Sequence, residues 1–218
     1  MGLTNQGKTP GRTTLLDAVN VCLTNIGEQP VSSLDNEQIQ DARIAEATLL
    51  EVHKEGQTRG WGWNSESEFP FMRDETTGEI VLPTNVVSWA PNQYEWANRL
   101  TLRGQRVYDR QTRSYKFDET INKVQADVVW LLPWDECPET YNRWATVRGA
   151  RIFSDRVLAN DSIFKYTMKD EQDALAQLLA VENDEVQPNI LTSGFHPFPT
   201  YRPGSGLAGR IGGGLRLG

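Results

Sequence analysis

Histidine and cysteine are scarce in this chain, with two of each among 218 residues. Two cysteines, Cys22 and Cys137, are too few for a disulfide scaffold or a four-cysteine metal site. His53 and His196 belong to no H-x-x-x-H or Cys/His cluster, so neither a zinc centre nor a Ser-His-Asp triad is expected. Long apolar runs are missing too. The longest, Val128 to Leu132, is far short of the roughly 20 residues of a membrane helix. The first residues, Met1-Gly2-Leu3-Thr4-Asn5-Gln6, are polar, and Gln6 stands where a myristoylation pattern needs Ser or Thr. A soluble, cytosolic chain is the expectation. Excess positive charge is absent: 29 acidic residues against 22 basic ones leave −7, which argues against bulk binding of polyanions. There is no P-loop. Gly204-Ser205-Gly206-Leu207-Ala208-Gly209 spells G-x-G-x-x-G, but it follows no strand and opens no helix, so it is not read as a nucleotide site.

What is present begins with two amphipathic helices. Leu15, Leu16, Val19, Cys22, Leu23 and Ile26 recur at steps of three and four and form one stripe. Thr14 with Asp17 fits a capping box, Gly27 suits a left-handed C-terminal residue, and Pro30 bars continuation. On that stripe Cys22 reads as a small buried hydrophobe. A second helix is expected to start at Asp35, with Gln38 three residues on, and to carry Ile39, Ala42, Leu49 and Val52 on one face. It closes on Arg59-Gly60-Trp61-Gly62-Trp63-Asn64, where the two tryptophans share a side if the segment is extended and cover the end of the helical pair.

From about Gly78 to Pro133 the period changes to two. Ile80-Val81-Leu82 reads as a short strand ended by Pro83. Tyr94, Trp96, Leu100 and Leu102 alternate with Glu95, Arg99, Thr101 and Arg103 as one half-buried strand. Val107 to Asp109 and Ser114 to Phe117 read as partner strands, and Val124 to Leu132 as a central one. Arg99, Arg103, Arg106, Arg110, Arg113 and Lys116 cluster here among Tyr94, Trp96, Tyr108 and Tyr115. Such interleaving suits single-stranded nucleic acid. The face of a hairpin protecting its edge, or a protein contact, is favoured over that, because the first strand's aromatics alternate away from the arginines.

Helix returns with Asp135 as N-cap and Pro138 in the first turn, running to about Leu158, and a fourth helix is expected over Ser162 to Glu185. Gln187 to Gly218 differs: it is rich in Gly and Pro, has no acidic residue, and carries Phe195, His196, Phe198, Tyr201, Arg202, Arg210 and Arg216. Ordering about thirty residues costs on the order of 1 kcal/mol each, which needs roughly 1,200 Å² of apolar burial to offset. One subunit does not supply that, so the tail is expected to lie against other chains. The expected class is α+β, an antiparallel helical bundle with an inserted small antiparallel β-sheet domain and an extended C-terminal tail. Its expected parts are a leader at 1–12, the bundle at 13–64 and 134–186, the inserted β domain at 65–133 and the tail at 187–218.

Carboxylate pairs such as Glu66/Glu68 and Asp74/Glu75 read as solvated loop charges. A cell-wall or polysaccharide hydrolase built on them is the enzymatic alternative. A nucleic-acid binder using the Arg-rich hairpin and tail is the other.

The run Leu23-Thr24-Asn25-Ile26-Gly27-Glu28-Gln29-Pro30-Val31-Ser32-Ser33-Leu34, followed by Gln57-Thr58-Arg59-Gly60-Trp61-Gly62-Trp63-Asn64, resembles the tail tubular protein A family of T7-like short-tailed phages. Gly78 to Pro83, Gly104 to Asp109, Leu131 to Glu136 and Ala150 to Phe153 agree in order; the long Gly/Arg tail departs from the pattern. The resemblance implies a structural adaptor, or gatekeeper, with no cofactor and no catalytic residue. In that family twelve copies form a ring between the portal protein and the tail nozzle (tubular protein B). Tail fibres dock nearby and genomic DNA passes through without sequence-specific binding. By this reading Phe195, Phe198, Tyr201, Arg202, Arg210 and Arg216 are candidates for portal or neighbouring-subunit contact. Arg99, Arg103, Arg106 and Arg110 are candidates for nozzle or fibre contact. The expected location is the virion, at the head–tail junction, after assembly in the host cytoplasm, with no membrane partner.

Overall fold

The computed structural model describes residues 11–35, 39–91, 94–158 and 168–185. These residues form a mixed α+β chain, helices with small antiparallel sheets. Two compact units divide it: Met1–His53 with Pro133–Val181, and Lys54–Leu132 with Glu182–Gly218.

In the first unit, α1 (Leu15–Asn25) starts and stops where its local chemistry dictates. Asp17 N–H donates to Thr14 Oγ1 at 3.1 Å and Thr14 N–H donates to Asp17 Oδ2 at 3.0 Å, the expected capping box. At the other end Gly27 takes φ 89°, Gly27 N–H reaches Thr24 O at 3.2 Å and Glu28 N–H reaches Leu23 O at 3.0 Å. That is a Schellman cap, which favours glycine at the left-handed position. The chain then folds back on α1: Val31 N–H donates to Asn20 Oδ1 at 2.7 Å and Asn20 Nδ2 donates to Val31 O at 3.0 Å. Ala18, Val19, Cys22 and Leu23 are buried and α1 packs on the helix over Glu139–Leu158.

Helix α2 (Gln40–Gln57) begins later than expected. Asp35 is engaged in a turn with Ser33 rather than capping, Gln38 lies outside the described residues, and Ile39 is exposed. Ala42, Ala45, Leu49 and Val52 are buried. Helix α4 (Glu139–Leu158) is buried on more than one side, at Tyr141, Trp144, Ala145, Val147, Ala150 and Phe153. At Gly149 it meets Leu49 so closely that an added Cβ would lie 2.5 Å from Leu49 Cδ2. Its buried polar side chains each donate one hydrogen bond: Asn142 Nδ2 to Trp134 O, Thr146 Oγ1 to Asn142 O and Ser154 Oγ to Ala150 O, while Asn25 Nδ2 of α1 donates to Ser154 Oγ. Asp135 does not cap this helix. It sits in a 3-10 turn over Trp134–Glu136, and Pro138, which lacks a donor, immediately precedes the first helical residue. Helix α5 (Met168–Glu185) is joined to α4 by Glu171, whose carboxylate lies 2.7 Å from both Arg148 Nη1 and Arg151 Nε. Those two hydrogen-bonded cations outweigh its burial and hold its pKa below the ordinary value. The expected first turn of this helix, at 162–167, lies outside the described residues.

The second unit holds β1 (Ser65–Met72), β2 (Val86–Pro91), α3 (Tyr94–Ala97), β3 (Leu100–Arg103), β4 (Arg106–Asp109) and β5 (Lys123–Trp130). The first sheet runs β1-β5-β2, all antiparallel, so β5 is central as its apolar run implies. The second sheet is the β3–β4 hairpin. The single strand expected over Tyr94 to Arg103 is instead a short helix, a turn and a strand. Trp96 and Leu100, both buried, are four apart, a spacing that a helical turn and a strand both place on one face, so the pattern does not tell the two apart. Ile80 to Leu82 is an extended link rather than a full strand, hydrogen-bonded to Gln105 and Val107 at β4. Ser114 to Phe117 likewise forms only isolated bridges. Phe71, Ile80, Leu82, Val107, Phe117 and Val128 are among the buried residues that fill this unit's core.

Trp61 and Trp63 do not alternate on an extended segment, because Gly62–Asn64 is a 3-10 turn. Trp61 is buried and its indole N–H donates to Gly56 O at 2.9 Å. Asn64, also buried, accepts from Trp61 N–H at 2.7 Å and donates to Gln57 O at 3.0 Å and Trp130 O at 2.8 Å. Gln57 adds a two-way pair with Leu132, Nε2 to O at 3.0 Å and Oε1 from N–H at 2.8 Å. Gly62 N–H donates to Glu182.

Candidate partner-binding face

The β3–β4 hairpin turns at Gly104-Gln105, where Gly104 takes φ 62°. Its register pairs Leu100 with Asp109, Thr101 with Tyr108, Leu102 with Val107 and Arg103 with Arg106. Alternation then sorts the side chains into two faces. Leu100, Leu102, Val107 and Asp109 share the inner one, and Leu100, Val107 and Asp109 are buried. Thr101, Arg103, Arg106 and Tyr108 share the outer one. Tyr115, brought back by the turn at 110–113, joins the outer face: its ring meets that of Tyr108 edge to face, with centroids 5.0 Å apart and planes at 63°. Arg103 lies 3.6 Å above Tyr108 and Arg106 lies 4.2 Å above Tyr115. Arg106 also sits 3.3 Å from Glu79. The aromatics of this face therefore lie beside the arginines, contrary to the alternation read from the first strand, because Tyr108 and Tyr115 come from other segments.

Arg99 is turned to a different task. Its Nε and Nη2 donate to Asp109 Oδ2 at 2.9 and 2.6 Å, and its guanidinium lies 4.9 Å over the buried Trp96. Asp109 Oδ1 accepts from Gln111 N–H at 2.8 Å and from Thr112 N–H at 3.3 Å. The Arg99 hydrogen bonds, with these amides, outweigh burial and pull the Asp109 pKa down from 3.8 to about 2. This pair fixes the far end of the hairpin. Arg110 follows β4, exposed, with its N–H bonded to Arg99 O at 2.9 Å. Of the four arginines singled out from the sequence, the fold places Arg103 and Arg106 together on the outer face, Arg99 inward and Arg110 beyond the strand end. The tyrosines that seat the first two were in view only as neighbours in composition; their pairing is a tertiary fact.

Phe195, Phe198, Tyr201, Arg202, Arg210 and Arg216 lie outside the described residues, as do His196 and the G-x-G-x-x-G run. Glu66 and Glu68 are exposed on β1; Glu66 pairs with Val128, and Glu68, at φ 58°, lies within the register shift that runs on to Phe69. Among the described residues no group of three or more His, Cys, Asp and Glu could hold a metal ion, and no helix is long and apolar enough to cross a membrane. Cys22 and Cys137 are free and buried, and burial pushes both thiols up to about 12, which removes the thiolate a reactive cysteine needs. His53 is buried against the Trp134 and Tyr141 rings.

A family model described as "Tube: Tail tubular protein" matches residues 16–188. No curated protein matches the chain.

Proposed function

The chain belongs to the tail tubular protein family, a structural family of the virion tail, and on that premise we propose that it is an adaptor joining portal to nozzle. The single observation that carries this is the family match, which spans both helical segments and the sheets between them. In the proposed assembly twelve copies form a ring below the portal, with the nozzle beneath, fibres docking beside it and DNA passing through the centre. Subunits are made and assembled in the host cytoplasm. Residues 13–64 and 134–186 act as an antiparallel bundle, 65–133 as an inserted β domain and 187–218 as a tail that binds the portal or a neighbouring copy. Phe195, Phe198, Tyr201, Arg202, Arg210 and Arg216 supply that tail contact, and the Arg103/Arg106 face supplies the contact to nozzle or fibre.

Charge supports the channel role. Twelve copies of −7 sum to 12 × (−7) = −84, which keeps passing DNA from adhering to the wall. Many modest contacts around a ring give avidity without one tight site. The test is mass in solution, measured with the chain alone and mixed with its portal. A multi-subunit complex is expected in the mixture, and a chain that stays monomeric beside the portal contradicts the proposal. Deleting 187–218 is expected to leave the fold intact by circular dichroism and to weaken that complex.

A further inference from the structure

We propose that the outer face of the β3–β4 hairpin receives an acidic polypeptide segment of a neighbouring tail protein, held by the guanidinium groups of Arg103 and Arg106. A chain of net charge −7 gathers Arg103, Arg106, Arg110, Arg113 and Lys116, all exposed, within one short stretch. Arg103 stands directly across the ladder from Arg106, and like charges so placed destabilise a sheet. Among the described residues Arg106 has Glu79 as its ion-pair partner, a half-exposed contact, and Arg103 has none. A hairpin that served only its own fold would gain from a neutral or acidic residue at either position.

Geometry says what would relieve the pair. The guanidinium carbons of Arg103 and Arg106 lie over the rings of Tyr108 and Tyr115, 3.6 and 4.2 Å from their centroids, and the two tyrosines pack against each other. Contact with a ring restrains each guanidinium while leaving N–H groups to donate, with Arg106 Nη1 already shared with Glu79, and such groups match a carboxylate with two parallel hydrogen bonds. Less side-chain freedom is then lost on binding. The same geometry argues against nucleic acid. Base stacking needs open aromatic faces, but here an arginine lies over one face of each ring and the edge-to-face contact takes a further face of one of them. The net negative charge of the chain also opposes a polyanion of long reach.

This inference rests on the adaptor reading only for the source of the acid, a tail protein bound beside the ring. The test is fluorescence anisotropy of the full chain with three probes: a labelled Glu-Thr repeat peptide, its Gln-Thr analogue, and an oligothymidylate of matching charge. The Glu-Thr peptide is expected to bind, salt-sensitively, and more tightly than either other probe. Arg103→Gln with Arg106→Gln is expected to weaken it at least about tenfold, and the double Lys variant to weaken it less, since it keeps charge without the planar fork. Circular dichroism on each variant reports the fold, which exposed side chains do not hold. The proposal is overturned if the oligothymidylate binds as tightly through the same arginines, if the Gln-Thr analogue binds equally, or if the double Gln variant binds the Glu-Thr peptide as the parent does. Loss of self-association in that variant would also overturn it, by giving the face to a second copy. A parent chain that fails to bind the Glu-Thr peptide while portal assembly is intact sinks this inference alone. Lost assembly with peptide binding intact sinks the adaptor reading alone.

Discussion

Replacing Asp109 by Asn asks whether the hairpin end is held by charge or by shape. The amide keeps the size of the carboxyl and can still accept from Gln111 N–H, but it forfeits the charge that meets Arg99. The carboxyl pKa falls from 3.8 to about 2 in the folded chain. At about 1.4 kcal/mol per pKa unit, that difference corresponds to about 2–3 kcal/mol. Asp109 is 2% exposed, so the figure is not discounted for solvent on its side, whereas Arg99 at 28% can rehydrate. The folded pKa lies below the unfolded one, so between pH 4 and 2 the unfolded chain binds more protons and stability falls with falling pH. The contribution is complete above about pH 4 and is lost as pH drops through about 2. Urea unfolding of parent and Asp109→Asn, followed by tryptophan fluorescence at pH 7, 4, 3 and 2, is expected to show a gap of about 2–3 kcal/mol at pH 7 that closes toward pH 2. A gap that is absent at pH 7, or that stays constant to pH 2, refutes the assignment of the hairpin's anchorage to this ion pair.

Gly149→Ala is expected to lower Tm: overpacking against Leu49 costs about 1–3 kcal/mol, more than the up to about 1 kcal/mol gained in helix propensity. A raised Tm would contradict the close approach of α2 and α4. Asn64→Ala removes three hydrogen bonds of a buried side chain and is expected to cost about 2–4 kcal/mol in chemical unfolding; a cost under about 0.5 kcal/mol would place the hold on the aromatic turn elsewhere. Turbidity of host-wall suspensions is expected to remain unchanged on adding the chain; clearing that is abolished by Glu66→Gln with Glu68→Gln would make it a hydrolase.

Local chemistry was readable where structure is made by near neighbours. Thr14, Asp17 and Gly27 announce the ends of α1 because capping and left-handed turns are settled within a few residues. The apolar end of β5 announces a central strand because both faces are covered. The two most specific family motifs have structural work visible in the fold. In Ile26-Gly27-x-x-Pro30-Val31, the glycine makes the helix cap and Val31 pairs with Asn20. In Gly60-Trp61-x-x-Asn64, Asn64 clasps three backbone groups around a buried indole.

What depended on distant partners was not readable. Strand β1 begins Ser65-Glu66-Ser67-Glu68, carries Pro70 and a register shift, and shows only Phe69 and Phe71 as its apolar side; an edge strand tolerates all of this, and its pattern resembles a loop. Trp96 and Leu100 fit a helix turn and a broken alternation equally well. At the candidate face the cations were visible in the sequence, but Tyr115 reaches Tyr108 only after the turn at 110–113, and Arg99 differs from Arg103 only because Asp109 faces inward.

Electron microscopy of the chain mixed with its portal bears most directly on the whole account. A twelve-fold ring of added density on one face of the portal, around an open channel, is the predicted image. A bare portal beside single, separate copies of the chain would contradict it.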